Sequence, residues 1–382
     1  MNIVYFQYPW RFWRTRLAGI YRYAASAGWR VQVIEHGLTA LPVAKAIAFW
    51  RPDGCIVERS VMDTPGFRAS DFRDTPVVYC DANPKRFRRP SMAVVHDSSG
   101  TAAIAARELI SLGFRNFAFV GNIIPRDWSD RRRKVMAAEA AKAGGTFASF
   151  EPGGPDSIAA FFASIRPWLR ALPTPCGLLA ANDISADLVL QACAMEQIEV
   201  PDEIAVIGID NDTLICRHAT PTLTSVMPDF EQSGYLAAQL LDEAMAGNCA
   251  PRIVKFGAAH IVRRNSTIKF KRRDSAVRRA VARIRETSGV GLTPAEICRE
   301  IGGSRRGAEY RFREATGRSI GEEIAAARVE HAKTLLLLRE QPIESIAAEC
   351  GYEDASSLRR AFKKATGLSL RDWRNAAESA DR

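Results

Sequence analysis

Seven short apolar runs, at residues 3–6, 31–34, 55–57, 77–80, 117–120, 177–180 and 204–209, punctuate the first two thirds of the chain. Between them lie stretches whose apolar residues recur with helical period, as at 16–27, 101–112 and 185–196. A strand that is apolar on both faces must be covered on both faces, and crossover helices do this in parallel sheets. The alternation therefore predicts doubly wound parallel sheets over residues 1–262. Ligands of such sheets sit beyond the carboxyl ends of the strands, so the residues after each run carry the functional reading.

Those loops are rich in groups suited to a small polyol. Tyr8, Trp10, Trp13 and Arg14 follow the first run, and His96 and Asp97 follow Val94-Val95. Trp128, Ser129 and Arg132 come after Val120-Gly121, Asn182 and Asp183 after Leu179-Ala180, and Asp210, Asn211 and Asp212 after Ile207-Gly208. Sugar hydroxyls pair with Asp, Asn and Arg, and a sugar's C–H face packs on aromatic rings. Simpler roles fit the same residues: turn chemistry for 210–212, core packing for the tryptophans, and a solvated helix start for 131–134.

The stretch 343–374 has a different period. It reads as a short helix, a turn at Gly351, and a second helix with Leu358, Ala361, Phe362 and Ala365 on its inner face. Ser356, Arg359, Arg360, Lys363 and Lys364 then lie outside, and Gly367 stops the helix. A helix-turn-helix needs these parts, although an ordinary amphipathic pair with a solvated charged face has the same periodicity. A weaker copy spans about 293–316, with Thr293 and Pro294 opening one helix and Ser304 capping the next. Its inner residues are Ala308, Phe312 and Ala315, and Arg305, Arg306, Glu309 and Tyr310 are placed on its exposed face. A long helix at about 321–339 joins the two. Ahead of them, 263–274 reads as a polar, basic, solvated linker and Ser275 as the cap of a helix ending near Glu286.

Charge follows the same division. Residues 263–382 hold 26 Lys+Arg against 17 Asp+Glu, whereas residues 1–262 hold 27 against 26. A near-neutral body with a basic tail fits a regulator carrying a polyanion-binding module, and also a chain that binds RNA or a membrane surface. The eight cysteines are scattered without a C-x-x-C pair, which implies reduced thiols rather than disulfides or a zinc site. With no signal-like start and no run of 18 apolar residues, the expectation is a cytoplasmic chain with no membrane partner. No P-loop, nucleophile elbow, G-x-G-x-x-G or metal-spaced His/Cys set is present, so neither cofactor, metal nor catalytic residues are assigned.

Two resemblances sharpen this. Ile346-Ala347, Cys350-Gly351-Tyr352, Leu358, Phe362-Lys363-Lys364 and Gly367 stand as they do in the second helix-turn-helix of the arabinose-operon activator (AraC) family; Leu370 and Trp373 depart from its usual proline and tyrosine. The resemblance places Arg306, Tyr310, Ser356 and Arg360 where base contacts fall, with Arg359 as a base or phosphate contact. The stretch GLLAANDISADLVLQAC, then VPDEIAVIGIDND and TPTLTSV, resembles the effector domain of the lac/galactose repressor family and of periplasmic sugar-binding proteins. That likeness implies a two-lobed periplasmic-binding-protein-like domain with crossovers near Asp97, 222–227 and Gly257. It further implies effector contacts from Asp97, Ser129, Arg132, Asn182 and Asp210, to which the loop reading adds Trp13.

No helices for DNA precede the first strand; the reader is at the other end. Such a layout resembles the xylose operon regulator family. The expectation is a sensor at 1–262 followed by an all-α domain at 275–382. It would be a sugar-controlled, non-enzymatic DNA-binding regulator, its expected partners being operator DNA, a sugar, a second copy of the chain and RNA polymerase. The rival readings are a cytosolic sugar-binding protein, or an enzyme on a doubly wound fold, without regulated DNA binding.

Overall fold

The computed structural model describes residues 1–7, 13–35, 43–62, 67–72, 74–81, 92–154, 157–248, 250–268, 274–338 and 342–373. The chain begins β1 (Asn2–Gln7), α1 (Trp13–Ala27), β2 (Arg30–Glu35), α2 (Val43–Trp50), β3 (Gly54–Glu58), α3 (Arg59–Met62), β4 (Val77–Cys80) and β5 (Met92–His96). Strands β1, β3, β4 and β5 are buried along most of their length because the sheet is covered on both sides, whereas β2, at the sheet edge, buries only Ile34. Val4, Phe6, Cys55 and Val57 face a layer that includes Ala46 and Phe72, while Ile3, Tyr5, Ile56 and Cys80 face the opposite one.

At Asp97 the chain crosses into a second lobe. It runs α4 (Ser98–Ser111), β6 (Asn116–Val120), α5 (Asp127–Lys142), β7 (Thr146–Phe150), α6 (Ile158–Arg170), β8 (Cys176–Ala180), α7 (Asp183–Met195), β9 (Ile204–Ile209), α8 (Thr213–His218) and β10 (Thr224–Pro228). It crosses back at Asp229 into α9 (Phe230–Met245) and β11 (Ile253–Phe256), and crosses again at Gly257 into β12 (Ala258–Val262). Among the described residues each lobe has one six-stranded sheet, ordered β11-β5-β4-β3-β1-β2 and β12-β10-β9-β8-β6-β7. All pairings are parallel except β10 with β12. The three crossings lie side by side, with Asp97 N bonded to Phe256 O and Asp229 N to Gly257 O.

Helices α1 and α9 cross at glycines. A Cβ on Gly19 would overlap the Glu231 carbonyl oxygen, and one on Gly234 would overlap that of Arg16. This close approach brings Arg16, a charged residue on the inner face of α1, against Ser233.

Residues 263–268 are not a solvated linker. Asn265, Ser266 and Thr267 are buried on the end of the second sheet. Ser266 N donates to Thr222 O at 2.9 Å, Ser266 Oγ to Val206 O at 2.6 Å, and Arg264 N to Thr224 Oγ1 at 2.7 Å. Arg263 pairs with Glu108 through both Nε and Nη2, at 2.6 and 2.7 Å. Short polar side chains that bond to strand ends let a hydrophilic segment be buried. Residues 269–273, the rest of the expected linker, lie outside the described residues.

The remainder is helical: α10 (Ser275–Glu286), α11 (Pro294–Ile301), α12 (Arg305–Thr316), α13 (Ile320–Leu338), α14 (Ile343–Glu349) and α15 (Ala355–Thr366). Asp274, not Ser275, caps α10, accepting from Ala276 N and Val277 N at 3.1 Å. One core joins α10, α11, α12 and the start of α13, and a second joins the rest of α13 to α14 and α15. Helix α13 is thus shared by both cores. Leu358 and Phe362 are fully buried as expected, but Ala365 is exposed, because α15 turns past the second core in its last turn.

Candidate functional site

The carboxyl ends of the first lobe's strands hold a buried ionic cluster. Arg16 is 0 % exposed. Its Nε donates to Ser233 Oγ at 2.8 Å, Nη2 to Asp81 Oδ2 at 2.5 Å, and Nη1 to Glu58, which also accepts from the Tyr5 hydroxyl. Burying a guanidinium is tolerable only with such partners. Burial raises the Glu58 carboxyl above its usual range, a push that Arg16 and the Tyr5 hydrogen bond oppose. Asp81 Oδ1 also accepts from His96 N at 3.0 Å, so the cluster reaches the last residue of β5.

Opposite it, the second lobe presents α5 and the ends of β8 and β9. Ser129 and Arg132, one helical turn apart, are both buried. Ser129 Oγ accepts from Asn122 N at 3.1 Å. Arg132 donates from Nη1 to Ala181 O and from Nη2 to His96 Nδ1, and its guanidinium carbon lies 4.6 Å from the Trp128 ring centroid. Its Nε is buried with no hydrogen-bond partner among the described residues. Burial lowers the Arg132 pKa to about 10, with Asp210 and Asp183 opposing the shift; it remains a cation. Burial and the Arg132 charge hold His96 down to about 3, hence neutral.

Asn182 caps α7 through Oδ1 to Ser185 N at 2.9 Å, and its Nδ2 reaches Asn122 Oδ1 at 3.3 Å. Asp210 and Asn211 follow β9 with φ of 115° and 50°, values that non-glycine residues rarely adopt. Strain of this kind persists where surrounding bonds enforce it, and it concentrates at ligand sites. Asp210 N donates to Val226 O at 2.9 Å, Asn211 N to Ser225 Oγ at 3.0 Å, and Asp212 N to Asp183 Oδ2 at 2.7 Å. The turn therefore rests on a buried carboxylate.

Of the residues expected in the cleft, Ser129, Arg132, Asn182 and Asp210 gather at the strand ends of the second lobe. Asp97 is at the crossing, where its carboxylate is engaged as the cap of α4, accepting from Gly100 N at 3.1 Å. Trp13 opens α1, but its side chain, like Tyr8 and Trp10, lies outside the described residues. Sequence reasoning missed Arg16, Glu58, Asp81 and Asn122. Arg16 did leave a signal: with Ile20 and Ala24 it sits at i, i+4 and i+8, so a charge occupies a core position of α1.

The two C-terminal helix pairs have the geometry expected of DNA readers. Thr293 and Glu296 form a reciprocal capping box at the start of α11, and Ser304 Oγ accepts from Gly307 N at 3.1 Å at the start of α12. Arg305, Arg306 and Tyr310 are exposed on α12, Tyr310 by 66 %. Glu309 turns inward instead: it is half-buried, and Oε2 accepts from Ile320 N at 3.4 Å. In the second pair Gly351 makes the turn with φ of 76°, and Asp354 caps α15. Ser356, Arg359, Arg360, Lys363 and Lys364 are all exposed on that helix. An exposed cationic helix face on a packed pair suits a major groove and its phosphates.

Comparisons with known proteins agree with both halves. Residues 106–267 match the periplasmic binding protein-like domain family, and residues 297–376 match the helix-turn-helix domain family. The xylose operon regulatory protein of Escherichia coli strain K12 is 29 % identical over 294 residues, covering 75 % of this chain and 74 % of that protein. The activator RhaR of Klebsiella pneumoniae is 34 % identical over 84 residues, covering 22 % of this chain and 30 % of that one. The solved structure of a xylose-binding transcription activator, xylR, has a similar fold with a TM-score of 0.61 at 23 % identity, covering 98 % of each chain.

Proposed function

We propose that this chain, a sugar-responsive transcription regulator joining a periplasmic-binding-protein-like sensor to an AraC-type helix-turn-helix domain, responds to a neutral pentose of the xylose type held between its two lobes. The observation that carries the reading is Arg132. A buried guanidinium whose Nε has no partner among the described residues, stacked on Trp128 and flanked by Asn182 and Asp210, offers a donor, an acceptor and an aromatic face together. A polyol with an apolar C–H face uses all three. The pentose itself is suggested by the names of the relatives.

On this reading Ser129, Arg132, Asn182 and Asp210 bind the ligand. Arg305, Arg306, Tyr310, Ser356, Arg359, Arg360, Lys363 and Lys364 meet DNA, and Glu309 supports α12. The sensor occupies residues 1–268 and the reader 274–382. The regulator acts as an activator in the cytoplasm and works as a homodimer, as lac repressor structures in the same fold class are dimeric; RNA polymerase is its further partner. It binds rather than converts its sugar, since its relatives are regulators.

The experiment is thermal melting of the whole chain across pentoses, hexoses and sugar acids. A ligand at 100 times its dissociation constant stabilises by about 2.7 kcal/mol. A pentose shift that Asp210→Ala removes is the expected result. A panel with no shift, or turnover of a sugar that Asp210→Ala abolishes, would overturn the reading.

A further inference from the structure

Asn211 sits between the cleft residue Asp210 and the chain that leaves the sensor. Its Oδ1 accepts from Arg264 Nη2 at 2.9 Å, and Nη1 of the same guanidinium donates to Leu223 O at 2.8 Å. Arg264 directly precedes the buried residues 265–267, and Arg264 N, Ser266 N and Ser266 Oγ all donate to the second lobe. Burial lowers the Arg264 pKa, and Asp183, which also holds the Asp212 amide, is among the charges that oppose the shift. A guanidinium with two fixed acceptors cannot follow one without disturbing the other, because its fork is planar and rigid.

Six residues after Ile268 the chain enters α10 at Asp274, and here a second fork appears. Arg311 of α12 donates from Nε and Nη2 to the two oxygens of Asp274, at 2.7 and 2.9 Å. Arg311 is the neighbour of Tyr310 on the DNA-reading helix. A third contact fixes α10 to the sensor, Arg278 Nη1 donating to Asp202 Oδ2 at 3.2 Å, just before β9. Helix α10 is therefore bonded to the turn that leads into β9, the strand followed by Asp210, and to the first reading helix.

We propose that Arg264 is the positioning residue that couples the ligand to the DNA reader: it reads the conformation of the 210–212 turn through Asn211 and passes it along the buried segment to α10, whence the Asp274–Arg311 fork sets α12. Asp210 and Asn211 are held at positive φ, so a ligand that pulls on Asp210 relaxes or tightens a strained turn rather than a rigid strand. Hydrogen bonds join the turn to residues 263–268 and join α10 both to the sensor, through Arg278 and Asp202, and to α12, through Asp274 and Arg311. The proposal rests on the reading that Asp210 faces the ligand.

Amide hydrogen exchange on the full chain tests it. Asn211→Gly removes the acceptor without backbone strain at positive φ, and Asn211→Asp restores it as a stronger one. Without any sugar, Asn211→Gly and Arg264→Gln are expected to speed exchange in residues 274–286 and 305–316 at least about fivefold, the low end of typical allosteric coupling, while Asn211→Asp does not. Exchange confined to residues 209–213 would overturn the proposal. Should Arg264→Gln fail to fold, Asn211→Gly decides alone. With D-xylose as probe, wild type is expected to change exchange in α12. Asn211→Gly should bind the sugar within about threefold of wild type yet lose that change. A full response in Asn211→Gly would also overturn it. If D-xylose leaves wild type unaltered, the pentose reading fails, and the sugar-free comparison still decides the route.

Discussion

Nη2 of Arg132 lies 3.2 Å from Nδ1 of His96, so a cation of the second lobe is held by the last residue of β5 in the first. A guanidinium only donates, which makes Nδ1 the acceptor and leaves the ring proton on Nε2. That proton points to Thr101 Oγ1 at 2.8 Å, and the Thr101 hydroxyl donates in turn to Asp97 O at 3.0 Å. The contact between lobes thus ends at a crossing.

Arg132→Lys keeps the charge and loses the fork. Ala181 O and His96 Nδ1 cannot both be reached, and leaving one unsatisfied costs about 1–3 kcal/mol. The expected outcome is a protein that folds with a lower denaturation midpoint and shows no sugar-dependent melting shift. A variant with the wild-type shift would mean that the guanidinium does not touch the ligand.

The same pair sets an acid sensitivity. His96 is held down to about 3 by burial and by Arg132, against 6.5 for an ordinary histidine. The unfolded chain therefore takes up a proton below pH 6.5 that the native state refuses until about pH 3. Stability from this group is complete above that upper limit and is lost as pH falls through the window. His96→Gln removes the term. Between pH 7 and 4.5 wild type should lose roughly 2–3 kcal/mol more unfolding free energy than the variant, measured by urea titration. Parallel losses would show that His96 titrates normally.

Two glycines should respond in opposite directions. Gly234→Ala drives a methyl into the Arg16 carbonyl, and neither helix backbone can yield cheaply. Overpacking of this kind costs about 1–3 kcal/mol, and here it also displaces Arg16 from Ser233. Gly321, in the first turn of α13, has no nearer neighbour than Pro294 Cγ at 3.9 Å and no positive φ. Gly321→Ala should raise stability by about 0.4–1 kcal/mol by restricting the unfolded chain. Denaturant midpoints check both signs.

The sequence made the doubly wound sheets and both helix pairs legible because their apolar periods are strong. Strands β5, β7, β10, β11 and β12 were not among its apolar runs. Strand β7 is a sheet edge with one partner and carries Thr146 and Ser149, so burial never demanded a continuous apolar run. Residues 263–268 were misread for the same reason in reverse. Ser266 and Thr267 look hydrophilic, yet bonds to Thr222, Thr224 and Val206 let them be buried. In the cleft, Ser129 and Arg132 could be picked out from loop position and resemblance. Arg16 showed only as a charge at a core position of α1, and Glu58 and Asp81 not at all, since their pairing joins residues distant in sequence through tertiary packing.

The exposed cations of α12 and α15 separate into two kinds of effect. Arg306→Ala and Arg360→Ala should each cost about 1–3 kcal/mol on a preferred duplex and relax base preference at one position. Lys363→Ala should weaken all duplexes alike and lower the salt slope by about one. Fluorescence anisotropy across a salt series separates the two patterns. Equal losses on all sequences for Arg306→Ala would remove it from base reading.

How the two pairs cooperate depends on Arg328, at the middle of α13. Its Nε donates to Gly289 O at 2.9 Å and Nη2 to Leu292 O at 3.3 Å, while its guanidinium carbon lies 5.9 Å from the Tyr352 ring centroid. Next to Tyr352, a Cβ on Gly351 would stand 3.4 Å from Val290 Cα, so the turn of the second pair packs on the loop ahead of the first. One side chain thus bridges the loop ahead of the first pair and the turn of the second, and it is expected to set the angle at which two readers would enter successive turns of the major groove, about 34 Å apart. Arg328→Met keeps the apolar stem and drops both hydrogen bonds. Each pair should stay folded on its own core, giving unchanged helical circular dichroism. Linked binding gains affinity only when the geometry permits both contacts at once. Affinity for a duplex carrying both half-sites should therefore fall about tenfold or more, while that for a single half-site barely changes. An equal loss on both duplexes would place the effect inside one pair, and the orienting role of Arg328 would be refuted.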